Sequence, residues 1–433
     1  MPSRIAPISE SELDGRALWG TERFWHFAHS EHQGAFDMVS VFEIESSIAA
    51  KDLDGWARAW DQVAKLCPVL SHHVSNQQGE AKIVIHERRE TSQVYLGPAI
   101  KGAQEQIDHC LQRPRFDSLA LTVFQQEEGN RSVHFAISNP HALGDAKGIL
   151  TIADLLICAL KRQLKSVASE QVSCAPTLFT KVPAQPCSNG DDQESNLGLR
   201  EMFEIAKKGS TTGFRIIPKE LAEPKRDGAE WRKVHAFSKL DTEVLVRFCK
   251  ARSFTVSALL QASIYHTMLQ TLTEKAQATN EVQRFTVPAM PFSHPSLASS
   301  ATSTVFAPVS IDIPPFASLE DTTRAVADSY ALARQFSVDA QDDYVKTLLK
   351  LFNSVRPETS VPTFSSLGQL GAFDGLRSYH VASRNNLPSL GIHAYTLNGL
   401  LNLSLAWSPG RFDAKIIDIF WSKWIVALEQ LSL

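Results

Sequence analysis

The chain has 433 residues, too many for one ordinary hydrophobic core, so its length points to two domains or two lobes. It is 43% hydrophobic and 21% charged, the balance of a soluble globular protein. Its net charge of −4 gives no electrostatic reason to bind nucleic acid or an anionic membrane.

The opening MPSRIAPISESELDGRALWG lacks the apolar core of a secretory signal. The longest apolar run, from Ile149 to Leu160, is too short to span a bilayer and is interrupted by Asp154. Six cysteines, at positions 67, 110, 158, 174, 187 and 249, form no CxxC pair. That spacing argues against structural zinc and against a disulfide framework, and favours reduced thiols; a cytoplasmic protein is expected.

In chain order, MVSVFEIE (38–45) reads as a strand. KDLDGWARAWDQVAKL then sets Leu53, Trp56, Trp60, Val63 and Leu66 on one helical face, and Pro68 ends it. KIVIH (82–86) is a short strand. SLALTVFQQ and RSVHFAIS form a hairpin around EEGN, and an apolar helix from Ile149 to Arg162 closes this half. From 167 to 230 the texture turns to Pro, Ser, Asn and Asp, as in a connector or crossover. Helices resume at DTEVLVRFCKA and TVSALLQASIYHTMLQTLTEK, and RFTVPAMPF and TVFAPVSIDI follow as strands. Ser318 caps SLEDTTRAVADSYALARQF, whose first turn is acidic. In IHAYTLNGLLNLSLAW, Asn398-Gly399 suits a type I′ hairpin turn, with Leu401, Leu403, Leu405 and Trp407 on one face. A last amphipathic helix from Asp413 to Leu431 carries Ile416, Ile417, Phe420, Trp424 and Leu428. The class is α/β in two lobes: 1–166, a connector over 167–230, and 231–433.

One bend concentrates chemistry. In VHFAISNPHALGDAKGILTIADLL a strand leaves the sheet at His141, turns at Gly144, passes Asp145 and enters a helix beyond Gly148. A neutral imidazole at a strand end is well matched to taking a proton from a hydroxyl or amine. The aspartate could orient that ring, or pair with a cation and hold the turn in shape. A surface turn with local hydrogen bonds fits the bare pattern equally well. The triple His26, His29, His32 lacks any further ligand pattern and reads as a solvated helix or loop rather than a metal site. His72-His73 has no aspartate four residues on. His380 and His393 fall in second-half strands, where core and channel-lining roles are equally open.

HALGDAKG (141–148) resembles the H-x-x-x-D-[GA] motif of the chloramphenicol-acetyltransferase-like superfamily. That superfamily includes peptide-synthetase condensation domains, plant acyl-CoA-dependent acyltransferases and fungal alcohol and trichothecene acetyltransferases. The opening LWGTERFWHFAHSEHQGAFDMVSVFEIES, then CPVLSHHV, is similar to alcohol-acetyltransferase-type members; PTFSSLGQLG resembles the family's second-lobe segment that reaches the active-site channel, and NGLLNLSLAW its usual ending, so the likeness spans most of the chain. The resemblance implies two lobes, each a mixed sheet flanked by helices, with an active-site channel between them. It implies His141 as general base, Asp145 as a structural residue of the turn, and Gly148 as a close-packing position. Ser365 and Ser366, with backbone N–H groups near them or in the 141–148 turn, are the candidate donors to the oxyanion, against plain turn chemistry before Gly368.

There are departures from the family pattern. Pro140 stands where condensation domains carry a second histidine, and Ala146 follows the aspartate. TVPAMPFSHP lacks the arginine that often follows this strand in the family and pairs with the motif aspartate, so the partner of Asp145 is open, with Arg284 one candidate. The plant D-F-G-W-G motif is absent, with AFDGLRS around Asp374 at most a worn trace.

The expected function is acetyl transfer from acetyl-CoA, as cosubstrate, to a hydroxyl of a small lipophilic terpenoid or polyketide, by a monomer with no metal and no bound cofactor. A carrier-protein thioester is the alternative donor. Two other readings keep the fold: a donor-independent cyclisation, isomerisation or dehydration, and a non-catalytic metabolite- or enzyme-binding protein.

Overall fold

A computed structural model describes residues 17–18, 20–77, 80–85, 93–113, 116–125, 131–165, 192–221, 231–273, 281–289, 307–336, 338–352, 358–370 and 375–431. Its contacts divide the chain into two compact units. Unit 1 takes Met1–Asn189, Ser293–Thr304 and Phe373–Asn386; unit 2 takes Gly190–Phe292, Val305–Ala372 and Leu387–Leu433.

Unit 1 begins with α1 (Thr21–Glu31) and β1 (Met38–Glu45). Next is α2 (Leu53–Leu66), capped by the Asp52 carboxylate, which accepts from Gly55 N at 2.7 Å. The apolar spacing of α2 turns Trp56, Trp60 and Val63 inward, and the helix ends before Pro68. There follow β2 (His72–Gln77), β3 (Glu80–Ile85), β4 (Val94–Gly97), α3 (Ala103–Leu111), β5 (Ala120–Phe124), β6 (Ser132–Asn139), a 3-10 turn at His141–Leu143, and α4 (Ala146–Lys165).

The chain then enters unit 2 with α5 (Asp192–Lys208), β7 (Phe214–Arg215), β8 (Arg232–Ala236), α6 (Lys239–Ala251), α7 (Val256–Thr273), β9 (Gln283–Ala289) and β10 (Ala307–Ile313). After α8 (Leu319–Ala333), α9 (Val338–Phe352), β11 (Thr359–Ser360) and β12 (Thr363–Gln369), β13 (Leu376–Ser383) returns to unit 1. β14 (Leu390–Leu397), β15 (Leu400–Trp407) and α10 (Ala414–Gln430) complete unit 2.

The class is α/β, with two sheets each flanked by helices. The sheet of unit 1 has the order β13-β1-β6-β5-β4, antiparallel except for β4 beside β5. Strand alternation gives it two apolar faces. On one, Phe42 lies between its cross-strand partners Phe135 and Tyr379, and Trp56 of α2 packs on Phe135 with ring centroids 5.5 Å apart. On the other, Val39, Val41, Ala136 and Ala382 meet Ile107 and Cys110 of α3. Both faces are covered, so β1 and β6 are buried along most of their length.

The main sheet of unit 2 has the order β12-β14-β15-β8, and β9 pairs with β10 beside it. α7 is apolar around its circumference and buries Leu259, Leu260, Ile264, Tyr265 and Met268. Trp424 of α10 donates to Ser263 Oγ at 2.7 Å within this core.

Two sequence-based boundaries move. Residues 192–208 of the expected connector form α5, because Met202 and Ile205 find a core to enter. The range 231–433 is not one body: β13 pairs with β1, so Leu376–Ser383 belongs to unit 1. Residues 167–191 and Asp374 lie outside the described residues. Cys67, Cys110 and Cys249 are buried free thiols.

Candidate active site

The end of β6 builds the bend. Met38 pairs with Asn139, the last ladder residue, and Pro140 then directs the chain out of the sheet. Asn139 is fully buried and donates through Nδ2 to Pro140 O at 2.9 Å and Gly144 O at 2.8 Å, closing a loop around His141. A side chain at Gly144 would put its Cβ 3.0 Å from Ile149 Cδ1 and 3.4 Å from Asn139 Nδ2, so the tight turn would accept one only if those side chains shifted.

Asp145 occupies the N-cap of α4. Its Oδ1 accepts from Gly148 N at 2.8 Å, and its carbonyl accepts from Ile149 N at 2.9 Å. Gly148 is buried in the first turn of the helix. Burial pushes the Asp145 carboxyl up to about 6, against the pull of the Gly148 N–H, the Lys147 charge and the Lys147 N–H. Arg284 does not serve as its partner. It forms a two-pronged pair with Asp312, at 2.7 and 3.0 Å, because β9 and β10 place the two residues directly opposite. Backbone donors of the turn are largely committed inside it: Leu143 N to Pro140 O, Gly144 N to His141 O, and Gly148 N to Asp145.

The His141 ring is half-buried and stacks on Trp25 of α1, with centroids 4.2 Å apart and planes 12° apart. Pro140 and Ala142, on either side of it, line a cavity of about 350 Å³ with His26, His29, His73, Val74 and Asp117. The solvated reading of the histidine triple therefore fails for His29. It is buried, and its Nδ1 pairs with Asp37 Oδ1 at 2.7 Å, because a carboxylate buried there requires a partner. Phe116 N donates to the other oxygen at 2.9 Å, and Arg384 Nε lies 3.9 Å away. Burial raises the Asp37 carboxyl despite these groups. Among the described residues no three His, Cys, Asp or Glu side chains converge as a metal site.

Ser365 and Ser366 belong to unit 2. They lie on β12, not in a turn, with a bulge between Ser366 and Gly368, whose φ is +72°. Ser366 is buried and accepts from Ser257 Oγ of α7 at 2.8 Å. Ser365 lies opposite His393 of β14. Burial takes the His393 imidazole down to about 4, and its buried Nδ1 has no hydrogen-bond partner among the described residues. His380, by contrast, is on β13 in unit 1.

Sequence reasoning missed Trp25 as a neighbour of His141. The signal was present: α1 carries Phe24, Trp25 and Phe27 in succession, more aromatic surface than one helix face needs.

No known family profile matches the chain. A Mycosarcoma maydis protein named "Probable alcohol acetyltransferase orf1" is 50% identical over 433 residues, which is 100% of both chains. The chain belongs to the same acyltransferase family as that protein, and its fold is the chloramphenicol-acetyltransferase- and condensation-domain-like one. Two solved structures agree with this acyltransferase fold. The trichothecene 15-O-acetyltransferase of Fusarium sporotrichioides aligns with a TM-score of 0.75 at 14% identity, over 99% of this chain and 100% of that one. The first condensation domain of the calcium-dependent antibiotic synthetase aligns at 0.66 and 12% identity, over 96% of each. No helix among the described residues is long and apolar enough to cross a membrane.

Proposed function

We propose that this acyltransferase moves an acetyl group from acetyl-CoA to the hydroxyl of a small lipophilic alcohol of the terpenoid or polyketide class, as a cytoplasmic monomer. Identity of 50% over both whole chains to a protein named "Probable alcohol acetyltransferase orf1" supports the reaction class. The turn at His141, beside a cavity and stiffened by Asn139 and Asp145, supports the assignment of the base.

In the proposed step His141 takes the proton of the acceptor hydroxyl as that oxygen bonds to the thioester carbonyl carbon. The tetrahedral intermediate collapses with cleavage of the C–S bond, and the imidazolium returns the proton to the departing thiolate. Ester and free CoA are the products. Ser365 and Ser366 are the proposed donors to the oxyanion. Asp145 acts on the turn, since its described hydrogen-bond donors are backbone groups of its own helix.

Purified protein incubated with acetyl-CoA and a panel of lipophilic alcohols is expected to release free thiol only when an alcohol is present. His141→Ala is expected to reduce turnover by roughly 10²–10⁴. Turnover unchanged in that variant removes the general base from the mechanism. Product formed without any thioester would replace acyl transfer by a donor-independent rearrangement.

A further inference from the structure

We propose that Trp25 is a positioning residue for His141, its indole forming a rigid, electron-rich platform on which the imidazole lies as it takes up the proton. This deepens the reading of His141 as general base and rests on it.

The stacking is close and nearly parallel, 4.2 Å and 12°, and joins two separate elements, α1 and the 3-10 turn. The indole is itself braced. Phe24 meets it edge-on at 5.0 Å and 73°, and Phe36 at 5.1 Å and 69°. Phe36 reaches that position through a strained turn: Gln33, Gly34 and Phe36 have φ of +54°, +77° and +66°. Non-glycine residues in that region persist where surrounding structure holds them, and such strain clusters at functional sites. Here the hold is visible. Asp37 takes the His29 pair and the Phe116 N–H, Phe36 N donates to Arg384 O at 2.9 Å, and Arg384 N donates to Asp37 O at 2.8 Å.

The indole nitrogen identifies what the side chain is for. Trp25 Nε1 is buried with no hydrogen-bond partner among the described residues. A phenylalanine would fill much of the space without an unsatisfied donor, so tryptophan is a poor choice for packing alone. What it offers is the largest and most electron-rich ring face, which attracts a cation. His141 is cationic between removal of the alcohol proton and its return to sulfur. A platform that fixes the ring plane also keeps its proton-accepting nitrogen in line with the incoming hydroxyl. Other titratable and charged groups around the turn are His26 and His29 from α1, His73 from β2, Asp117 before β5, and Asp145 and Lys147 beyond the turn.

The test uses the full chain with Trp25→Leu, Trp25→Phe and, as reference, His141→Gln. In protein labelled at histidine Cε1, the His141 ring signal is the one missing from His141→Gln, and its titration can be followed without substrate. Trp25→Leu is expected to lower that midpoint by about half to one pH unit and to move the acidic limb of kcat down with it. The same variant should reduce kcat roughly ten-fold, with KM for acetyl-CoA and alcohol within about two-fold. Trp25→Phe should keep kcat within about three-fold of the parent, with a midpoint a few tenths of a unit low.

An unmoved His141 midpoint in Trp25→Leu overturns the proposal, as does a Trp25→Phe variant as impaired as Trp25→Leu. If Trp25→Leu yields no folded protein, the midpoint of Trp25→Phe decides: unmoved, it overturns the platform. A His141→Gln enzyme that turns over like the parent refutes the general base instead, and the ring titration still decides whether Trp25 governs the imidazole.

Discussion

Asn139 closes the His141 loop with one amide nitrogen, which donates to the carbonyls of Pro140 and Gly144. Removing it leaves two buried acceptors without that donor, a loss of about 2–3 kcal/mol for Asn139→Ala. Asn139→Asp should be worse, because a carboxylate of the same shape presents oxygen to oxygen and buries a charge. Urea unfolding of the two variants checks the order, and an aspartate variant as stable as the parent would refute the bridge. Asp145 makes a prediction of the opposite sign. Its folded carboxyl titrates near 6, above the ordinary value of 3.8, so folding takes up a proton between those pH values. That contribution is fully present below pH 3.8 and lost as pH rises through 6. Asparagine still caps a helix but cannot ionise. The stability of Asp145→Asn relative to the parent should therefore rise between pH 4.5 and 7.5, by about 1–3 kcal/mol once partial exposure is allowed for. Parallel unfolding midpoints across that range would contradict the buried charge.

At the level of elements, Gly375 shows what the entry into β13 demands. Its φ is +91°, its carbonyl accepts from Glu45 N at 3.2 Å, and an added Cβ would stand 2.5 Å from Ile48 Cδ1. Gly375→Ala should lose about 2–3 kcal/mol, part from the backbone and part from the clash. Ile48→Ala in the same chain should recover only the clash part, so a double-mutant cycle will be non-additive. Strict additivity in thermal unfolding would show that the contact is not made. Elements governed by local rules were legible in the sequence. Asn398 and Gly399, at φ +53° and +80°, make the expected turn between β14 and β15; Ser318 and Asp413 cap α8 and α10. The bend that carries His141, Asp145 and Gly148 was legible as a strand-turn-helix for the same reason, lying within one short stretch, whereas the roles expected of those residues came from the family resemblance. What was hidden depends on pairing across long stretches of chain. Nothing near Leu376–Ser383 announces β1 as its partner, nothing in FWHFAHS says that Trp25 meets His141, and Asp312 claims Arg284 only once β9 and β10 are in register. Ser365 and Ser366 admitted a turn reading because small polar residues run up to Gly368 in TFSSLGQ, and only the pairing with β14 makes that stretch a strand.

On the scale of the whole molecule, unit 1 is assembled from distant pieces of sequence, and this has a consequence for folding. β13 supplies one edge of its sheet and buries Leu376, Tyr379, Val381 and Ala382 there. It also brings Ser378 to Glu43, at 2.9 Å, and Arg384 to the buried Asp37. Without those residues β1 becomes an exposed edge between two half-covered faces, and Asp37 loses a cationic neighbour in a site where an uncompensated charge is strongly disfavoured. A fragment of residues 1–189 should therefore lack a cooperative unfolding transition, although it contains the His141 turn. Joining residues 373–386 to its C-terminus through a flexible linker, or supplying them as a peptide, should restore cooperativity and dispersed amide resonances. The restored fragment should also regain the Trp25–His141 stacking, because the route from β13 to that pair runs through Arg384, Asp37 and His29 into α1. Cooperative unfolding of residues 1–189 alone would mean that β13 merely decorates the edge, and that the His141 turn is held by the first part of the chain.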